Sequence, residues 1–263
     1  MCRIPVNVAS LEFAVETVFY DQLAPHAHLL YGDWERFMTW QTEKIGRLVA
    51  PSDRAIRIVD CAAGIGTNTI PLAGAGHDVL ALDTSVLSIE RARSEAARRG
   101  VDMRFHTGAP DQLSSSDAGS FHVALILDNY LCHATTDEEA VGFLVSARKL
   151  LRNDGRLVVA LRDYDADFDR HPDVDAVAFH SACQQRRIVH QIWDWLDDHT
   201  YQFHLHIVRG VDTGWEAMHF TAVYRALRRT QAIELIRRAG FRHVEVVSPE
   251  QSGYHRFLLL AAA

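Results

Sequence analysis

What this chain lacks narrows it before any motif is considered. It has four cysteines, Cys2, Cys61, Cys132 and Cys183. They lie far apart without C-x-x-C spacing, which argues for reduced thiols over a disulfide framework or a zinc site. Fifteen histidines are many, yet none fall into H-E-x-x-H, and no metal is expected. His204 and His206 share one face of a predicted strand, where they face a pocket or solvent or, as the alternative, hold an ion. No apolar run reaches membrane-spanning length, and Met1 to Ser10 lacks the charged-then-apolar order of a secretory leader; a cytoplasmic protein with no membrane partner is expected. A concentrated basic patch is also lacking. The formal net charge is −7 and the basic residues are scattered, so the electrostatic footprint of a nucleic-acid binder is missing. There is no internal repeat. With 263 residues and 48% apolar content the chain can bury one large core, which favours one elaborated domain over two. A homo-oligomer stays open.

What is present is organised around Arg57-Ile58-Val59-Asp60-Cys61-Ala62-Ala63-Gly64-Ile65-Gly66-Thr67. A β-branched run ends in an acid, turns through two glycines and enters a helical pattern, which reads as strand, tight turn, helix. Glycines there permit positive φ and bring backbone N–H groups close to a ligand. The next strand, His77 to Asp83, ends in a second acid. At that distance Asp83 takes the hydroxyls of a ribose; the alternative is an N-cap for the helix starting at Ser85. Thr69 stands where a dinucleotide site would need a third glycine, which disfavours NAD.

The βα alternation continues. Helix Ser85 to Arg99 is followed by Gly100, and the strand Phe121 to Leu127 delivers Asp128-Asn129-Tyr130-Leu131-Cys132-His133 to its carboxyl end. Helix Thr136 to Arg152 opens with acids in its first turn. Asn153-Asp154-Gly155 reads as a turn into a strand that delivers Arg162-Asp163-Tyr164-Asp165. In an open α/β sheet ligands sit beyond the carboxyl ends of the strands, so both clusters point at a reaction zone. After Asp165 the pattern changes. Arg186 to Trp195, Thr200 to Arg209 and Trp215 to Tyr224 each show a two-residue apolar period, predicting an antiparallel insertion of about three strands that walls a pocket. Before the first strand, residues 10 to 24 read as a helix ended by Pro25. The aromatic stretch His26 to Trp34 then leads into a helical run ending at Val49. Trp34 reads equally as lid or as core.

Asp60-x-Ala62-x-Gly64-x-Gly66 resembles motif I of the class I S-adenosylmethionine (SAM) methyltransferases. The resemblance implies an α/β fold: a Rossmann-like, mostly parallel seven-stranded sheet with helices on both faces. Residues 1–50 would form an N-terminal helical lid, 51–165 the SAM-binding core, 166–228 the antiparallel insertion after the fifth strand, and 229–263 the end of the core sheet. SAM is the implied cofactor. Its implied cradle is Asp60, Ala62, Gly64, Gly66, Asp83, Thr84, Gly108, Ala109 and Leu127, with Tyr20 and Trp34 contributed by the lid. Ala109 stands where the superfamily usually has an acid for the adenine, leaving Asp111 or a backbone carbonyl as acceptor.

Within the superfamily, Tyr20-Asp21-Gln22-Leu23-Ala24 with Leu30-Tyr31-Gly32-Asp33-Trp34, the Asn129-x-x-x-His133 spacing and Arg162-Asp163-Tyr164-Asp165 resemble the glycine/sarcosine N-methyltransferase group. That resemblance implies N-methylation of a small amine or amino-acid-like acceptor. Arg162 would pair with the acceptor's carboxylate, Asn129 would touch the acceptor, and Tyr31 would line the methyl-transfer site. Two positions depart from the pattern. Ala27 replaces an aromatic residue, and Arg36 only loosely matches the base expected for the SAM carboxylate. His133 is either a general base, which a hydroxyl acceptor would need, or a helix-start hydrogen-bonding group. Arg162 has a second reading too, as an ion pair with Asp163 or Asp165.

Overall fold

The computed structural model describes residues 17–49, 54–165, 169–175, 177–181 and 186–263. The predicted helix over 10–24 is seen as helix over 17–23, its earlier part lying outside the described residues along with Cys2 and Cys183. Five strands run parallel: β1 (Arg57–Asp60), β2 (Asp78–Asp83), β3 (Arg104–Thr107), β4 (Phe121–Ile126) and β5 (Leu151–Leu161). A second, antiparallel sheet follows, made of β6 (Ala178–His180), β7 (Arg187–Trp195), β8 (Thr200–Val211) and β9 (Gly214–Arg225). The chain then returns to the first sheet through β10 (Arg242–Val247) and β11 (Phe257–Ala262). The first sheet has seven strands in the order β10-β11-β5-β4-β1-β2-β3, with β11 antiparallel to β5.

The central strands are apolar on both faces because helices cover both. Ile58 and Val59 of β1, Val123 to Ile126 of β4 and Leu157 to Leu161 of β5 are all buried, the signature of a parallel sheet interior. Helix Asp137–Leu150 turns Ala140, Leu144 and Ala147 to the sheet at helical spacing. Its start is closed reciprocally: Glu139 N–H donates to Thr136 Oγ1 and Thr136 N–H donates to Glu139 Oε2. The reversal of strand order between β1 and β4 opens a crevice at the carboxyl edge, where consecutive crossovers leave in opposite directions.

Three local expectations are corrected. The insertion has four strands, because Ala178–His180 adds an edge to β7; three residues are too few to show a period. Asn153-Asp154-Gly155 lies within β5, with Phe121 opposite Leu151 but Val123 opposite Arg156, so the turn is taken up as a bulge. The final strand, which the sequence predicts over Tyr254 to Ala261 from its apolar run, starts at Phe257, and Tyr254, His255 and Arg256 precede it at the crevice.

Candidate active site

The first bend is set by backbone conformation. Gly64 has φ +54° and Gly66 φ +88°, both left-handed. A Cβ on Gly66 would lie 2.6 Å from Ile70 Cδ1, whereas one on Gly64 would meet nothing within 4 Å. Gly66 therefore keeps the turn close to its helix, and Gly64 keeps space open above it. Asp83 closes β2 beside this turn and fixes it. Gly64 N–H donates to Asp83 Oδ2 at 2.8 Å and Ser85 N–H donates to Oδ1 at 2.9 Å. The N-cap of helix Val86–Arg98 is Ser85, whose Oγ accepts from Ser88 N–H, and not Asp83; each Asp83 oxygen keeps a further lone pair for a hydroxyl donor.

Asp60, at the end of β1, is 1% exposed. Ala62 N–H donates to its Oδ1 at 3.2 Å, while Oδ2 has no partner. Burial, with Asp128 and Asp83 nearby, pushes its carboxyl up to about 8, and burial raises Asp83 to about 6. Burial also raises Asp128, against Arg256, Gln41, Tyr254 and Asn68, which favour its charge.

At the β4 tip Asp128 (φ +53°) and Asn129 (φ +69°) are left-handed although neither is glycine, a strained pair of the kind that collects at functional sites. Asn129 ties three elements together. Arg162 N–H donates to its Oδ1 at 2.9 Å, its Nδ2 donates to Tyr164 Oη at 2.8 Å, and that hydroxyl lies 2.7 Å from Tyr201 Oη on β8. Arg162 pairs with Asp175 at 2.8 Å and stacks 4.3 Å from the Trp193 ring centroid. Its anionic partner is thus neither Asp163 nor Asp165, both of which face Arg229.

These groups surround one cavity of about 370 Å³. Of the residues expected from sequence, Tyr20, Tyr31, Ala62, Gly64, Asp83, Leu127, Asn129 and Arg162 line it together. Asp60, Gly66, Thr84, Gly108, Ala109, Trp34 and His133 are not part of the lining. Trp34 is buried and donates from Nε1 to Thr67 Oγ1 at 3.1 Å, with the Arg99 guanidinium 5.0 Å from its ring; it packs behind the turn. His133 shares a 2.8 Å hydrogen bond with Tyr20 Oη, and burial pushes its ring down to about 3. Gly108 N–H donates to Asp83 O at 2.8 Å, placing the β3 tip beside the β2 acid. Arg36 is exposed at the start of helix Trp34–Val49, where its N–H donates to Asp33 Oδ1. His204 and His206 stand on the outer face of the second sheet with His190 and His219, the His204–His219 pair 2.8 Å apart. Among the described residues no group of histidines, cysteines and acids could hold a metal, and no helix is long and apolar enough to cross a membrane.

Two residues escaped sequence reading. Arg187, buried on β7, donates from Nε to Leu29 O at 2.7 Å and from Nη2 to Tyr31 O and to Gly32 O. It holds the segment bearing Tyr31 against the second sheet. Arg256 lines the cavity, with its Nε buried and unpartnered. Nothing local marks either residue, because their partners lie far away along the chain.

The residues suit a SAM-like ligand. A cationic nucleoside carrying an amino-acid tail meets a strand-tip carboxylate for its ribose and an open glycine face. It also meets Asp128 at the β4 tip, while Asp60 lies buried behind the turn and fixes it through Ala62 N–H.

Residues 58–155 match the family described as methyltransferase domain. Glycine/sarcosine N-methyltransferase of Aphanothece halophytica is 30% identical over 115 residues, 44% of this chain and 43% of its own length. A ubiquinone biosynthesis O-methyltransferase of Caulobacter sp. is 31% identical over 105 residues, 40% of each chain. The match to this chain thus spans less than half the length of these curated relatives. The SAM-bound structure of CalS10, an amino pentose methyltransferase from Micromonospora echinaspora, superposes with a TM-score of 0.67 at 16% identity, covering 85% of this chain and 91% of that one. At that identity it speaks to the fold. Strand order, domain match and relatives converge: residues 58–155 carry the methyltransferase domain on a Rossmann-like sheet, and the chain resembles the S-adenosylmethionine-dependent methyltransferases, the glycine/sarcosine N-methyltransferase group among them.

Proposed function

We propose that this chain moves a methyl group from SAM to the amine nitrogen of a small amino-acid-like acceptor, or of a glycine-like group on a natural product. One observation carries this reading: the cavity joins the Gly64–Asp83 cradle to the tips of β4 and β5 without a dividing wall. A nucleoside on the first and an acceptor on the second would share one enclosed space. The N-terminal residues Tyr20 and Tyr31 would close it, and the insertion would wall it with Trp193, Tyr201 and Tyr224. In this division residues 1–50 cover, 51–165 bind SAM, 166–228 wall the acceptor and 229–263 complete the sheet.

SAM supplies an activated methyl; the chain's residues supply position and a dry environment. Methyl transfer disperses charge between sulfur and nitrogen, so enclosure helps by excluding water, and alignment supplies much of the rate. The acceptor amine must arrive neutral, which burial in an aromatic-walled cavity favours. Burial holds the Tyr31 hydroxyl protonated far above its ordinary range, so it can accept an amine hydrogen and donate one bond without titrating. Asn129 acts through position: with its amide committed to Arg162 N–H and Tyr164, it fixes the tips of β4 and β5 relative to each other. Arg162 faces the cavity with Asp175 already on it, so an acceptor carboxylate competes with that anion or shares the guanidinium.

His133 supports an amine over a hydroxyl acceptor. It lies outside the cavity lining and is pushed down to about 3, far from the basicity that deprotonating a hydroxyl requires. The relative named for glycine and sarcosine supports the same reading, and the one named for O-methylation in ubiquinone biosynthesis makes the hydroxyl acceptor the alternative to test. The test is incubation with isotopically labelled SAM and a panel of primary amines, amino acids and phenols, followed by mass spectrometry. Label on nitrogen with release of S-adenosylhomocysteine is expected. Label on phenolic oxygen alone would refute the amine assignment. For a carboxylate acceptor, Arg162→Lys should raise KM about tenfold while leaving SAM affinity unchanged. An unchanged KM would remove Arg162 from acceptor binding.

A further inference from the structure

The cavity holds a second cation that the resemblance did not lead to. Arg256 precedes β11, and because β11 runs antiparallel to β5 its beginning lies at the same edge as the end of β4. Only β5 stands between them in the sheet order, so the two backbones are separated by about two strand spacings, roughly 10 Å. From that position a long arginine reaches back towards Asp128. Both residues line the cavity, and Arg256 Nε is buried with no partner. Arg256 acts electrostatically on Asp128, and both act on Tyr31, yet no ion pair within 4.0 Å joins the two. Behind Asp128, Gln41 Nε2 donates to Tyr254 Oη at 2.8 Å, and Gln41, Tyr254 and Asn68 all favour the carboxylate's charge. The chain also tolerates left-handed φ at Asp128 and Asn129 to present this tip. The other cavity arginine, Arg162, already carries Asp175.

We propose that Asp128 and Arg256 form a separated charge pair that receives the zwitterionic head of an α-amino acid, its ammonium at Asp128 and its carboxylate at Arg256. The order of charges matches such a head. Placed between them, it would satisfy the orphan guanidinium nitrogen and give the Asp128 carboxylate, which faces the polar side chains of Gln41, Tyr254 and Asn68, a cation in direct contact, with an ion pair at each end. This rests on the reading that the cavity takes SAM. The head has two sources with the same chemistry. If it is the tail of SAM, Arg256 takes the role expected of Arg36; if it is an amino-acid acceptor, the carboxylate sits at Arg256 in place of Arg162 and the ammonium passes a proton to Asp128 before transfer.

Calorimetric titration separates these sources. S-adenosylhomocysteine carries the head, and 5′-methylthioadenosine carries the same nucleoside without it. If the pair holds the cofactor tail, Arg256→Gln weakens S-adenosylhomocysteine about tenfold or more and leaves methylthioadenosine unchanged. If it holds the acceptor, Arg256→Gln spares both nucleosides and raises KM for an amino-acid acceptor by a similar factor. Asp128→Asn should follow the same pattern, and Arg256→Lys, which keeps charge but loses the fork, should fall between. Unchanged S-adenosylhomocysteine affinity together with unchanged KM overturns the pair. So does an equal loss for both nucleosides, with thermal melts confirming a folded variant. Failure of the unsubstituted protein to bind either nucleoside would instead overturn the SAM reading beneath it.

Discussion

Asp60 places a carboxyl where the fold gives a negative charge little support, and that has a measurable sign. Its carboxyl is raised to about 8 by burial, so the folded chain holds this proton more tightly than the unfolded one. The stability linked to it is therefore full below about pH 4, the ordinary carboxylate value, and is lost as pH rises towards 8. Thermal melts should show Asp60→Asn losing less Tm than the unsubstituted protein between pH 5 and 8; parallel pH profiles would contradict this assignment. A cationic ligand should reverse the preference. SAM binding near pH 7 should then release protons, seen as a buffer-dependent calorimetric heat that Asp60→Asn diminishes. The two glycines separate by the same logic. Gly64→Ala should weaken SAM binding while costing about 1–2 kcal/mol of stability for its left-handed φ. Gly66→Ala adds a clash with Ile70 and should cost clearly more in chemical denaturation. Equal losses in the two variants would show that Gly64 does not face ligand space. Asp83→Ala should weaken S-adenosylhomocysteine by about 1–3 kcal/mol, part of it through the released Gly64 N–H. At this scale the glycines and Asp83 were legible, because their meaning lies in short spacings along the chain. Arg187 and Arg256 were not, since each acquires its role from residues brought near only by folding.

Among the elements, the attachment of the N-terminal cover matters most. Asp21 Oδ1 accepts from Ser85 Oγ at 2.6 Å and from Leu87 N–H at 3.1 Å, seating a carboxylate at the start of helix Val86–Arg98, where the helix dipole favours it. Glu35 meets Arg98 at 2.7 Å, and three arginines hold Glu95 down to about 2. On the other side Arg187 grips the backbone of Leu29, Tyr31 and Gly32. Arg187→Gln removes a buried charge from three carbonyls and should cost about 2 kcal/mol or more. Limited proteolysis should then cut faster between residues 27 and 33, and turnover should fall more than SAM affinity, because Tyr31 loses its support. Unchanged cleavage and turnover would show that the cover is held elsewhere. The insertion was readable from its two-residue period, since its inner face packs against the core while its outer face carries histidines. β6 was not, being too short to carry a pattern. The site's Asn129–Tyr164–Tyr201 chain was half legible: Asn129 and Tyr164 stood at marked strand tips, but Tyr201 joins them from the insertion.

For the molecule as a whole, the parallel strands followed from a pattern of apolar strands alternating with helices, because covering both faces forces that alternation onto the chain, while the seven-stranded sheet was what the resemblance implied and the strand order came from the fold. What the pattern did not contain is the closing of the crevice. Two sheets and an N-terminal cover meet there through tyrosine hydroxyls, buried arginines and backbone carbonyls, and none of these has a local period. Methyl transfer would therefore depend on a relation between distant parts: the glycine turn and Asp83 on one side, and the tips of β4 and β5 on the other, serving a single ligand space. A crystal structure grown with S-adenosylhomocysteine tests this most directly. Ribose hydroxyls on the Asp83 carboxylate, the nucleoside over Gly64, and the sulfur turned towards Tyr31 and the β4 tip are the expected result. A nucleoside bound elsewhere, or a sulfur turned away from that tip, would contradict it.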